Sequence, residues 1–132
     1  MDDYKFVLNN PIYWEFIRCL RNDERVKSSF IQQEHISEDV HLKFMEKYAN
    51  MFYICLYKDK PAGFVGCIGR DIRIAVHPKF QGKGIGSFMI NELMKLEPAA
   101  FAKVKINNEA SLRLFEKCGF KKKYYILEKD VT

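Results

Sequence analysis

No run of apolar residues in this 132-residue chain approaches the roughly 20 that a membrane-crossing helix needs. The start, Met1-Asp2-Asp3-Tyr4, is acidic and lacks the basic segment and apolar stretch of an export signal. A cytoplasmic location without a membrane partner is therefore expected. Internal repeats, low-complexity stretches and linkers are also missing, so one domain spanning 1–132 is expected. The four cysteines, Cys19, Cys55, Cys67 and Cys118, contain no C-x-x-C pair. That spacing argues against a zinc site, and reduced buried thiols with no bound metal are expected. Clustered positive charge is scarce: Lys121-Lys122-Lys123 is the single basic run, read as a solvated strand end. Without a basic face interleaved with aromatics, a nucleic-acid partner is not expected.

What the chain has is material for a core: 48% of its residues are apolar and 14% aromatic, which excludes the disordered and fibrous classes. Lys and Arg number 22 against 17 Asp and Glu, a surplus that suits an anionic ligand.

The apolar spacing predicts a strand over Tyr4–Leu8. A helix follows, capped by Asn10-Pro11, carrying Ile12, Tyr13, Phe16, Ile17 and Leu20 and ending near Arg21-Asn22-Asp23. Residues 24–36 show no clear pattern. Ser37 caps a second helix with Val40, His41, Phe44, Met45 and Tyr48 turned inward. Strands are expected at Met51–Tyr57, Ala62–Ile68 and Asp71–Val76, joined by a turn at Lys58-Asp59-Lys60-Pro61 and a tight hairpin at Gly69-Arg70. Gly63, Gly66 and Gly69 read as bulge or close-packing positions. A helix over Ile85–Leu96, a strand over Phe101–Ile106, a helix from Asn108 to Cys118 closed by Gly119, and a last strand over Tyr124–Leu127 complete a central mixed β-sheet flanked by helices, an α/β fold.

The most informative stretch is Gln81-Gly82-Lys83-Gly84-Ile85-Gly86, between the strand ending at Val76 and the helix starting at Ile85. Helix N-termini carry unpaired N–H groups and a partial positive charge. Glycines let the backbone approach an anion closely, and successive N–H groups can curl around it. Lys83 adds a mobile charge. A P-loop is excluded because no Ser or Thr follows a Gly-Lys pair, and a Rossmann fingerprint fails because its third glycine would fall on Ser87.

Val76-His77-Pro78 followed by this loop resembles the Q/R-x-x-G-x-G/A acetyl-CoA motif of the GNAT N-acetyltransferases. The stretch from Asn108 to Phe120 (Asn108-Glu109-Ala110-Ser111-Leu112-Arg113-Leu114-Phe115-Glu116-Lys117-Cys118-Gly119-Phe120) resembles their N-x-x-[AS]-x-x-L-Y-x-x-x-G-F segment. The two motifs lie in the family's order and cover about residues 50–127. The resemblance implies a GNAT-like fold and acetyl-CoA as cosubstrate. It implies that pantetheine lies along Ile74, Ala75 and Val76, and that this strand splays from the one at 101–106. The pyrophosphate is expected on Gln81, Gly82, Lys83, Gly84, Ile85, Gly86 and Ser87. Asn108, Ser111 and Phe115 are expected near the cofactor. The implied reaction is direct attack of an amine on the thioester, with the backbone N–H of Val76 stabilising the oxyanion.

The chain departs from the pattern at Phe115, where the family usually has tyrosine. Either the thiolate leaves unassisted, or Tyr124 or Tyr125 reaches in as the acid, or the chain binds acyl-CoA without turnover. Asp71 and His41 are the candidate bases, and His77 before Pro78 reads as structural. For the acceptor, Leu20-Arg21-Asn22-Asp23, Ile36-Ser37 and His41 with Phe44 loosely resemble bacterial amino-sugar-nucleotide N-acetyltransferases, with Arg18, Arg21, Arg25 and Arg73 available for phosphate. A small-molecule amine is thus the expected partner, a protein amine the alternative, and the chain a monomer or homodimer.

Overall fold

A computed structural model describes residues 3–28, 30–31 and 34–130; the acidic Met1-Asp2 start lies outside them. In chain order the elements are β1 (Tyr4–Leu8), α1 (Pro11–Asn22), α2 (Glu24–Lys27), α3 (Glu38–Tyr48), β2 (Phe52–Tyr57), β3 (Lys60–Ile68), β4 (Asp71–Val76), α4 (Ile85–Leu96) and α5 (Glu109–Lys117). The strands form one four-stranded sheet in the order β1-β2-β3-β4, every neighbour antiparallel.

Local chemistry starts the helices. The Asn10 side chain accepts from the Ile12 N–H at 3.1 Å with Pro11 in the first turn, and the Ser37 hydroxyl accepts from Val40 N–H at 3.2 Å. Asp23 caps α2 through the Arg25 N–H at 2.8 Å. Both hairpins turn on two residues of positive φ, Lys58-Asp59 and Gly69-Arg70, the geometry that matches strand twist. The first turn is tighter than expected, so β3 begins at Lys60 rather than Ala62.

The sheet is covered on both faces. On one, Ile17, Leu20, Val26 and Met45 of α1–α3 pack on Phe52, Ile54, Phe64 and Ala75. On the other, Ile85, Met89, Ile90 and Leu93 of α4 and Phe115 of α5 pack on Cys55, Ala62, Val65 and Ile72. Gly63 and Gly66 are close-packing positions: a Cβ on Gly63 would stand 2.7 Å from the Ala75 carbonyl oxygen, and one on Gly66 2.4 Å from the Phe52 ring. Val40, expected inward, is exposed; on α4, Leu96 is exposed and Ile90 buried.

The end of the stretch that shows no clear pattern is tied back to α1 at Ile36 by two side chains. Asn22 accepts from the Ile36 N–H and donates to the Ile36 carbonyl, both at 2.8 Å, and Arg18 donates to the same carbonyl at 3.2 Å.

Two expected strands differ. Over 101–106 only Phe101 joins the sheet, through one parallel bridge to Asp71, so the mixed character of the sheet reduces to that bridge. Ala102 and Val104 still pack on the core. Tyr124–Leu127 forms no strand, and all four side chains are exposed. Four consecutive apolar residues do not alternate, and β-propensity stabilises a strand only against a neighbouring strand and a half-buried face. Among the cysteines Cys55 is buried, with its thiol pushed up to about 11 by desolvation, whereas Cys19 is exposed. No helix among the described residues is long and apolar enough to cross a membrane.

Candidate active site

The register of β4 decides which of its backbone groups are free. His77 N–H donates to the Ala62 carbonyl at 2.8 Å, continuing the β3–β4 ladder. Antiparallel pairing alternates, so Arg73 and Ala75 also turn their N–H and C=O toward β3. Ile72, Ile74 and Val76 turn theirs to the open edge. Ile72 confirms the phase, since its N–H donates outward to Phe101 at 2.9 Å. Beyond that point no segment among the described residues pairs with β4. The result is a slot closed at Asp71–Phe101 and open beside Ile74 and Val76.

The open end leads into the glycine loop. Gly82 and Gly84 have φ of 80° and 78°, a left-handed backbone that favours glycine. Gly84 is the N-cap of α4, which has no side-chain cap. The first helical bond is Phe88 N–H to Gly84 carbonyl at 3.1 Å. The amides of Gly82 to Ser87 therefore meet no acceptor among the described residues. A Cβ on Gly82 would meet nothing within 4 Å, so the cradle opens to solvent. Unpaired donors at a helix N-terminus, beside free strand amides, form a donor set that fits a pyrophosphate with an amide-bearing arm, as in coenzyme A.

The loop is pinned from outside. Tyr4 donates its hydroxyl to the Lys83 carbonyl, and its ring lies 5.0 Å from Phe88 and 5.7 Å from Tyr57. The Lys83 ammonium sits 5.5 Å over the Tyr57 ring. His77 Nδ1 accepts from Lys79 N–H at 3.1 Å, capping the short turn Pro78–Phe80. Gly86 also faces α5: a Cβ there would stand 2.9 Å from a terminal methyl of Leu114. Sequence reasoning assigned it to the phosphate and missed this contact, which only the packing of α4 on α5 reveals. Gln81 is exposed at the loop entrance, and Ala75 is buried against α1, its backbone spent on β3.

The Asn108 side chain accepts from the Ser111 N–H at 3.1 Å, capping α5, and Ser111 is half-buried. Phe115 is 5% exposed, its ring edge-on to Phe120 at 5.1 Å, so it belongs to the core. The catalytic candidates are not brought together. Asp71 stands at the closed end of the slot, 3.5 Å from the Arg73 Nε and 4.0 Å from the Lys103 Nζ. Five residues of strand put it roughly 17 Å from Val76 and three put it about 10 Å from Ile74. His41 is buried between α1 and α3, its Nε2 2.8 Å from the Trp14 carbonyl oxygen, and burial lowers its pKa. It lines a cavity of about 260 Å³ with Pro11, Trp14, Glu15, Glu38 and Leu42, away from the β4 edge. Tyr124 and Tyr125 are 90% and 87% exposed, on a segment without regular structure. No group of three or more His, Cys, Asp or Glu is placed to hold a metal among the described residues.

Comparison with known proteins agrees with this geometry. The chain is 25% identical over 96 residues to an uncharacterised N-acetyltransferase of Methanocaldococcus jannaschii, a match covering 60% of this chain and 42% of that protein. The chain thus spans less than half of that relative. Its fold is that of the Vibrio cholerae spermidine N-acetyltransferase solved with CoA and spermine (TM-score 0.83, 20% identity, 96% of this chain and 86% of that one). It is also that of a Methanocaldococcus jannaschii domain (0.80, 22%, 93% and 91%) and of the Salmonella typhimurium putative acetyltransferase yncA with acetyl-CoA (0.76, 16%, 91% and 80%). The profile of the acetyltransferase (GNAT) family matches residues 10–120, and the chain belongs to that family.

Proposed function

We propose that the chain is an acetyl-CoA-dependent N-acetyltransferase, working as one domain and acting on a small primary amine, an amino-sugar nucleotide being one such amine. The observation that carries this reading is the continuity of free backbone donors from the outer edge of β4 into the uncapped N-terminus of α4.

Bound acetyl-CoA supplies the activated thioester. The amides of Gly82 to Ser87 hold its diphosphate, and Lys83 adds charge. The outward groups of Ile74 and Val76 hold the arm in extended form, and an outward N–H of this edge, Val76 or Ile74 one rung further, polarises the thioester carbonyl. Asp71, the carboxylate of β4, is the candidate proton acceptor for an amine attacking a thioester held at Ile74, about 10 Å of strand away, and it acts through a chain of waters. No phenol stands at the position of Phe115, so the thiolate departs without a side-chain acid there.

That same residue supports a second reading, a protein that binds acyl-CoA without turnover. One experiment separates the two: calorimetry of the purified chain with acetyl-CoA, followed by thiol release against a panel of amines. Binding with amine-dependent thiol release supports the transferase. Binding without release across the panel favours the second reading, and no binding contradicts both.

A further inference from the structure

Four arginines lie on or near the face of the sheet covered by α1–α3, and three face carboxylates. Arg18 meets Glu15 at 2.5 Å and Glu38 at 3.7 Å; Arg25 meets Asp23 at 2.7 Å; Arg73 meets Asp71 at 3.5 Å. Arg21 meets none among the described residues. It is half-buried in the last turn of α1, with its guanidinium carbon 5.2 Å over the ring of Phe44. Burial and the charge of Arg73 both act against its protonated form, in that order. Removing a guanidinium from water without a counter-charge, beside a second guanidinium, is unfavourable. Stacking on an aromatic face offsets part of that cost, and no protein anion among the described residues supplies the rest.

The position of the pair gives it meaning. Ala75 packs on the α1 side of the sheet, and strand alternation puts Arg73 on that side too. The backbone of Ile74, between them in sequence, points out into the slot. Helix α1 packs directly on β4, and Arg21 in its last turn is close enough to Arg73 for the two charges to act on each other. An amine reaching the slot from this side passes Arg21 and Arg73.

We propose that Arg21 and Arg73 form a docking site for an oxyanion on the acceptor, so that the preferred substrate is a primary amine bearing a phosphate or carboxylate group rather than a polyamine. This rests on the transferase reading and specifies its substrate class. Guanidinium forks match either oxyanion with paired hydrogen bonds. A polyamine would instead bring ammonium groups against Arg21, Arg73 and Lys103, of which Arg73 and Lys103 share the Asp71 carboxylate.

The test compares glucosamine 6-phosphate, glucosamine and spermidine as acceptors for the full chain, its Arg21→Gln variant and its Arg73→Gln variant. Arg73 is partly exposed, so the second variant keeps the test decisive if the first fails to fold. The phosphorylated amine should exceed the other two in kcat/KM by about tenfold or more, the strength of a charge-assisted contact. Each variant should raise its KM by about tenfold or more with acetyl-CoA affinity unchanged. Equal use of all three amines, preference for spermidine, or unaltered KM in the variants would overturn the proposal. So would weaker acetyl-CoA binding with unaltered amine KM, since the pair would then serve the cofactor. Nuclear magnetic resonance of the CoA-saturated protein gives a readout independent of turnover. Glucosamine 6-phosphate should shift the Arg21 and Arg73 side-chain N–H signals in the unaltered chain and leave Arg73 unmoved in Arg21→Gln. Shifts in neither arginine would overturn the docking site even where the cofactor binds normally.

Discussion

Tyr4 and Lys83, 79 positions apart, are joined by the tyrosine hydroxyl donating to the lysine carbonyl. This bond ties β1 to the glycine loop and turns the Lys83 carbonyl away from the space where an anion would sit. Tyr4→Phe keeps the ring contacts with Phe88 and Tyr57 and removes only the hydroxyl. The expected result is acetyl-CoA affinity weakened by about 2- to 10-fold, the worth of a single hydrogen bond. Calorimetry measures it, with near-unchanged circular dichroism as the control.

Gly84 combines a left-handed backbone with a neighbouring hydroxyl: its Cβ would stand 3.2 Å from the Tyr4 oxygen. Gly84→Trp should abolish acetyl-CoA binding while far-ultraviolet dichroism persists, because the substitution strains a loop outside both cores. Unchanged affinity would remove the phosphate cradle from the account.

Phe115→Tyr adds a hydroxyl to a ring buried against Phe120. A buried hydroxyl without a partner costs about 1–3 kcal/mol. The Tm should fall by roughly 3–10 °C, read by calorimetric scanning. The rate of acetyl transfer should be retained. A large loss of rate would show that Phe115 is arranged differently from the core position described.

Asp71→Asn removes the proton acceptor assigned on β4. General-base catalysis is worth about 10²–10⁴-fold, and a base acting through water from a distant rung belongs at the lower end. Thiol-release assays should show kcat lower by about tenfold to a hundredfold at pH 7 with acetyl-CoA affinity retained. An unchanged kcat would take Asp71 out of the reaction.

Burial lowers the pKa of His41 below its ordinary value near 6.5. The unfolded chain then binds the proton more readily than the folded one, so stability is full above about pH 6.5 and declines as pH falls below it. Asp23 acts in a separate window. The Arg25 side chain and backbone N–H hold its carboxyl at about 2, so its contribution is present above the ordinary aspartate value and lost as pH falls toward 2. Thermal melts from pH 7.5 to 5.5 should show a falling Tm, and His41→Gln should flatten that slope. An equal slope in the variant would assign the effect elsewhere.

Much of the fold was legible because its causes are local. Asn10-Pro11, Ser37 and Asn108 announce helices through their own side chains, and the glycine loop declares itself by lying between a strand and a helix. The unreadable parts depend on partners remote in sequence. Ile36 is held by a pair of hydrogen bonds to the Asn22 side chain. The approach of Gly86 to Leu114 depends on the packing of α4 on α5. Which β4 amides are free depends on the register to β3, which no single-strand pattern reveals. Tyr124–Leu127 has the residue types of a strand but lacks a neighbour among the described residues. The catalytic assignments suffered most: the separations of His41 and Tyr124 from the Val76 edge are properties of tertiary structure, whereas that of Asp71 follows from the rise of its own strand.

The most direct measurement is a backbone amide titration of the full chain with acetyl-CoA, followed by ¹H–¹⁵N correlation spectra. The account predicts saturable shifts at Ile74, Val76 and the amides of Gly82 to Ser87, with smaller changes on α3. Shifts centred on the cavity around Trp14 and His41, or an unperturbed start of α4 at saturation, would contradict it.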